Sequence, residues 1–145
     1  MNISRLTFCN AEDFLQIEAL VGVLSSSCRA ERAVIEELLS QKNTHLFVAR
    51  DSDGKIVGMT TLCCFTIPTG RHATIEDVSV LPEFRGRGLG RKLVQSALDY
   101  LASTGLHYRV GLTSCGTYLA TLTHCCQCTV SQHGFPAKGD KRIYY

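Results

Sequence analysis

The chain has 145 residues, of which 45% are hydrophobic and 19% charged, and its formal net charge is +2. That length suits one domain spanning residues 1–145 with a core of its own, and so small a charge excludes a broad nucleic-acid-binding surface. No run approaches the roughly 18 apolar residues of a membrane span, and Met1-Asn2-Ile3-Ser4-Arg5 leads into an acidic helix rather than a signal sequence, so the cytoplasm is the expected compartment.

Ile3 to Phe8 is predicted as a first strand. Asn10 then caps a helix, with Asp13 three residues on and Phe14, Ile17, Leu20, Val21 and Leu24 along its inner face, until Ser25-Ser26-Ser27 breaks it. A second helix is expected from about Cys28 to Leu39, carrying Ala30, Ala33, Val34 and Leu38. Leu46 to Arg50 and Ile56 to Thr66 read as a hairpin around the turn Asp51-Ser52-Asp53-Gly54, and Ile67-Pro68-Thr69-Gly70 turns the chain into a third strand, Ala73 to Leu81. Leu89 to Ala102 has helical spacing, with Leu89, Leu93, Val94, Ala97, Leu98 and Leu101 apolar, and Gly105 suits a left-handed cap. Tyr108 to Thr113 follows as a strand parallel to Ala73 to Leu81, because a whole helix crosses between them, and Asp140 to Tyr145 can close the sheet. The fold class is therefore α/β, with a mixed, mostly antiparallel sheet flanked by helices.

The junction from Val80 to Leu93 carries the chemistry. It joins a strand to a helix through Gly86, Gly88 and Gly90, with the cations Arg85, Arg87, Arg91 and Lys92 interleaved and following. A helix N-terminus leaves amide N–H groups unpaired and carries about half a positive charge, so a glycine-rich approach lets a pyrophosphate rest on the backbone. A Walker loop is excluded because Gly90 is followed by Arg91 and Lys92 rather than Lys-Ser/Thr, and a dinucleotide fingerprint because position 91 is not glycine.

Arg85 to Gly90 fits Arg-x-x-Gly-x-Gly, and with the strand Ile75-Glu76-Asp77-Val78-Ser79-Val80 before it and a helix after it this segment resembles the acyl-CoA-binding motif of the GNAT superfamily, the Gcn5-related N-acetyltransferases. The resemblance covers most of Ile3 to Ser114 and implies a sheet whose two parallel strands splay apart to admit the pantetheine arm of acetyl-CoA. It assigns pantetheine contacts to the backbone around Val78, Ser79 and Val80, and the pyrophosphate to the amides of Arg85, Gly86, Arg87, Gly88, Leu89 and Gly90, with Arg91 or Lys92 meeting phosphate oxygens. Ile-Glu-Asp-Val on this strand is similar to glucosamine-phosphate acetyltransferases.

Acetyl transfer from a thioester to an amine requires a base for the amine, stabilisation of the carbonyl oxygen, and a proton for the departing thiolate. Glu76 or Asp77 can serve the first need, directly or through water; adjacent strand residues face opposite sides, so one of the two faces the cleft, and a bulge would change which. The Val78 N–H would meet the oxyanion. The family's usual Tyr-x-x-x-Gly-Phe is missing before Gly134-Phe135, which leaves Tyr118 as the candidate acid, with core packing as its alternative role. The expected acceptor is a small-molecule primary amine, and Arg29, Arg32, Arg71 or His72 could meet an anionic group on it. A homodimer formed through the last strands is a further expectation from the resemblance.

Eight cysteines include Cys125-Cys126-Gln127-Cys128 but no second Cys-x-x-Cys to make the paired spacing of a zinc site, so free thiols are expected and no metal is assigned. Cys115 is the one reasonable thiol for a ping-pong route, and no supporting histidine is adjacent to it. The other alternative is a binding or regulatory relative that keeps the coenzyme junction without the chemistry.

Overall fold

The computed structural model describes residues 1–113 and 142–144. Their elements are β1 (Asn2–Leu6), α1 (Ala11–Leu24), α2 (Arg32–Ser40), β2 (Thr44–Arg50), β3 (Ile56–Ile67), β4 (Gly70–Val80), a short 3-10 turn (Pro82–Phe84), α3 (Leu89–Ser103), β5 (Arg109–Thr113) and β6 (Arg142–Tyr144). They form one sheet in the order β1-β2-β3-β4-β5-β6, antiparallel except for the parallel β4–β5 pair. The mixed sheet and the parallel crossover through α3 bear out the expected fold class.

Element boundaries differ where local signals compete. β1 stops at Leu6, and Phe8 beyond it is exposed. α2 starts at Arg32 rather than near Cys28, and its buried contact is Ile35, backed by Leu38 and Leu39, while Val34 points to solvent. Asn10 caps α1 as expected, its side-chain oxygen accepting from the Asp13 N–H at 2.8 Å. The Asp13 carboxylate does not close a capping box; it is buried in an ion pair with Arg50 at 2.8 Å.

Two cores lie on opposite faces of the sheet. Leu89, Leu93, Val94, Ala97 and Leu101 of α3 cover Phe47, Leu62, Ala73, Ile75, Val110 and Leu112. On the other face Ile17 and Leu20 of α1 and Ile35 of α2 cover Leu6, Leu46, Val48, Ile56 and Met59. Leu93, Ile17 and Leu20 are among the fully buried side chains, and burial of each contributes about 1.5–3 kcal/mol. The close seat of α3 on β3 depends on Gly58, where an added Cβ would stand 3.1 Å from Leu93 Cδ1 and 3.2 Å from the Ser79 carbonyl oxygen. Gly58→Val should therefore overpack this contact and cost about 1–3 kcal/mol, lowering Tm by roughly 3–10 °C in a thermal melt.

The departure from a regular ladder that matters most is in β4. Met59 is opposite Ser79 and Thr61 opposite Glu76, so both Asp77 and Val78 stand against Thr60, and Asp77 adopts a φ of 53°. This is a β-bulge, held in part by the Thr60 hydroxyl donating to the Glu76 carbonyl at 3.1 Å. Ala73 and Ile75 face α3; regular alternation would then turn Val78 and Val80 away from it. The extra residue returns Val78 and Val80 to the α3 side, while Ser79 faces α1 and donates its hydroxyl to the Leu20 carbonyl at 2.9 Å.

Candidate active site

β4 and β5 pair from His72 opposite Arg109 as far as Ile75 opposite Leu112. Beyond Ile75, β4 continues through Glu76 to Val80 with no further pairing to β5 among the described residues. The described part of β5 ends at Thr113, one residue past the last pair. Glu76 shares a face with Thr61 across the ladder, and Thr74 does so with Cys63, so Thr74 and Glu76 lie on the α1/α2 side and opposite to Val78 and Val80. Asp77, at the bulge, is exposed. The bulge settles the orientation left open by the sequence: Glu76 falls in line with Ser79 on one side, and Asp77 occupies the corner between the two runs.

Charge at this corner is felt by a neighbouring thiol. Burial pushes the Cys63 thiol above its ordinary range, and the carboxylates of Glu76 and then Asp77 push it in the same direction. Burial likewise raises Cys64 and Cys9. None of these three thiols is primed as a nucleophile, since that role needs a lowered pKa. Cys115 and Tyr118 lie outside the described residues.

The end of β4 leads directly to the anion seat. Leu81 ends the ladder by donating its N–H to the Val57 carbonyl at 3.0 Å, and Pro82–Phe84 form a tight turn. Arg85 folds back so that its Nε donates to the Val80 carbonyl at 3.1 Å, and the Arg87 guanidinium lies 5.8 Å from the Phe84 ring centroid. Gly86 and Gly88 have φ of 74° and 71°, a left-handed backbone that other residues adopt only with strain. Gly88 is the N-cap of α3 and supplies no side-chain cap, so the amides of Leu89, Gly90 and Arg91 at the first turn have no carbonyl partner within the helix. The Leu89 side chain is buried in the α3 core, which limits its role here to its backbone N–H. Gly90 sits against Val78 and Val80, its missing Cβ 3.8 Å and 4.0 Å from their methyl groups, and the helix start therefore adjoins the end of β4. Arg91 and Lys92 are exposed on the same turn.

Sequence reasoning found the junction and the two carboxylates but missed their neighbours. Thr61, Cys63 and Thr74 line up with Glu76 through cross-strand pairing, and the Thr60 hydroxyl bonds the Glu76 carbonyl. His72, which the sequence offered as a contact for an anionic group, lies in the same row, stacked on Phe65 at 5.6 Å between ring centroids, with a buried Nε2 lacking a hydrogen-bond partner among the described residues. Only the ladder register brings this row together.

A mixed sheet with one parallel pair, whose longer strand leads through a turn into an uncapped, glycine-led helix N-terminus, is the architecture of an acetyltransferase. Residues 12–120 match the model of the Acetyltransferase (GNAT) family, and the chain belongs to that family. It is 32% identical over 110 residues to an uncharacterized N-acetyltransferase of Archaeoglobus fulgidus, an alignment covering 69% of this chain and 73% of the relative. It is 33% identical over 63 residues to the streptothricin acetyltransferase of Streptomyces lavendulae, covering 43% of this chain and 32% of that enzyme. Among solved structures, a Trypanosoma brucei acetyltransferase superposes with a TM-score of 0.63 at 26% identity, covering 78% of this chain and 82% of that one.

Proposed function

We propose that the protein transfers the acetyl group of acetyl-CoA to a primary amine of a small molecule, by direct attack within a ternary complex. The observation that carries this reading is the run of β4 from Glu76 to Val80 into the uncapped, glycine-led start of α3. Pyrophosphate oxygens accept from the amides between Arg85 and Gly90, with Arg91 and Lys92 adding charge, and the pantetheine arm lies along the backbone of Val78 to Val80. The acceptor approaches from the α1/α2 side, where Glu76 takes a proton from the ammonium, directly or through a water. The amine nitrogen then attacks the thioester carbonyl, whose oxygen becomes negative and is met by the Val78 N–H. Collapse breaks the C–S bond, leaves an amide, and releases the coenzyme thiolate, which takes up a proton.

Acetyl-CoA at about 100 times its Kd should stabilise the fold by about 2.7 kcal/mol, read as a rise in Tm. An amine panel that includes streptothricin and glucosamine 6-phosphate, followed by release of free thiol, then tests the transfer itself. Stabilisation with no thiol release for any amine would replace this reading with that of a binding or regulatory relative. No stabilisation at all would overturn both.

A further inference from the structure

A cavity lies at the β1 edge of the sheet, walled by β1, the end of α2, the start of β2 and Tyr100 of α3. Its volume is about 260 Å³, and none of its lining residues belongs to the glycine junction or to Glu76–Val80. Its polar lining is rich in donors and holds no carboxylate: Arg5, Lys42, His45, Gln41, Thr44 and Tyr100 face it. We propose that this cavity binds a phosphate dianion, free or carried by a small metabolite, at a site separate from the coenzyme seat.

The geometry favours an anion on several independent grounds. Arg5 is fixed over Tyr100, with its guanidinium 5.5 Å from the ring centroid and Nη1 donating to the phenol oxygen at 3.3 Å. That bond uses one of five N–H donors, and neither Arg5 nor Lys42 has a carboxylate partner among the described residues. Thr44 donates its hydroxyl to the Gln41 carbonyl oxygen at 2.9 Å, which leaves the Gln41 amide NH2 as a donor. His45 packs edge-on to Tyr100 at 4.6 Å, is only 9% exposed, and makes no side-chain hydrogen bond among the described residues. A largely buried, unbonded imidazole beside the Arg5 cation is unfavourable for one more positive charge and favourable for a bound anion. The volume lies just below the usual range for ligand pockets, about 300–1,000 Å³, so the carrier of the phosphate is small.

Proton linkage gives the site a distinctive signature. Burial, and then the charge of Arg5, hold His45 below its ordinary range, so the empty site is neutral at this ring at neutral pH. The groups facing it are Arg5 from β1, Lys42 from the turn before β2 and Tyr100 from α3. A bound dianion favours the imidazolium, so binding takes up a proton and tightens as pH falls.

The test titrates the full chain with sodium sulfate, inorganic phosphate and glycerol 3-phosphate, following NMR resonances of the His45 and Tyr100 rings, which report on this cavity and not on the junction. Sulfate stays dianionic throughout, so its pH dependence belongs to the protein. Saturable millimolar binding is expected, at least about tenfold weaker in Arg5→Gln with Lys42→Gln and tighter at about pH 5.5 than 7.5, with that pH dependence lost in His45→Gln. Arg5 and Lys42 are exposed, so their replacement leaves the fold in place. Tighter binding of glycerol 3-phosphate than of phosphate would assign an organic carrier, and equal or weaker binding the free ion. The absence of saturable shifts, shifts unchanged in the double variant, or sulfate binding insensitive to pH would each overturn the proposal.

Discussion

Glu76→Gln is expected to lower the rate of acetyl transfer by about 100-fold or more while changing acetyl-CoA affinity by less than about twofold. The amide keeps the size and hydrogen-bonding reach of the carboxylate, so the Thr61 pairing and the bulge beside it persist. What it loses is the ability to accept a proton from the amine. The measurement is kcat across pH with a saturating amine, alongside calorimetry with acetyl-CoA. In the variant, the limb of the pH profile owed to this carboxylate should vanish. Asp77→Asn is the companion experiment, because asparagine tolerates the left-handed backbone at a φ of 53° and the change tests charge without adding strain. A Glu76→Gln enzyme with the parent's profile would remove Glu76 from the mechanism, and a lost limb in Asp77→Asn would give the role to its neighbour.

Gly90→Glu should weaken acetyl-CoA binding by at least about 100-fold, equivalent to roughly 3 kcal/mol. A carboxylate at the first turn of α3 would neutralise the positive end of the helix and repel the pyrophosphate. The fold has room for the change: a Cβ at position 90 meets Val78 and Val80 at 3.8 Å and 4.0 Å, ordinary contact distances. Gly90→Ala therefore serves as the control that separates charge from bulk. Gly88→Glu should lose binding as well, but at a φ of 71° any side chain also costs about 1 kcal/mol of backbone strain, so its melting temperature must be read together with its affinity. Undiminished binding in Gly90→Glu would place the phosphates elsewhere.

Local signals carried most of the architecture. Apolar spacing located α3, including its buried Leu93 and Ala97, and the glycine pattern located its N-terminus, because both are written within one turn of chain. Asn10 gave away the start of α1 through a side chain that bonds three residues ahead. Features that depend on a partner strand were not legible. The bulge at Asp77 exists only in the register of β4 against β3, and no pattern in Ile75 to Val80 announces it. The true inward face of α2 depends on where the helix starts, and that start moved to Arg32. The cavity at His45 joins Arg5, Lys42 and Tyr100 from widely separated segments, and only the assembled fold brings them to one place.

The extra residue in β4 also divides the strand into two modules. Upstream, His72, Thr74 and Glu76 look toward α1 and α2; downstream, Val78 and Val80 look toward α3. Because the phase of the strand changes at Asp77, substitutions at the upstream positions alter the face toward α1 and α2 without disturbing the surface that Val78 and Val80 present to α3. Deleting one residue there would exchange the two faces of every side chain beyond it, so evolution and design alike can vary either module while leaving the joint alone.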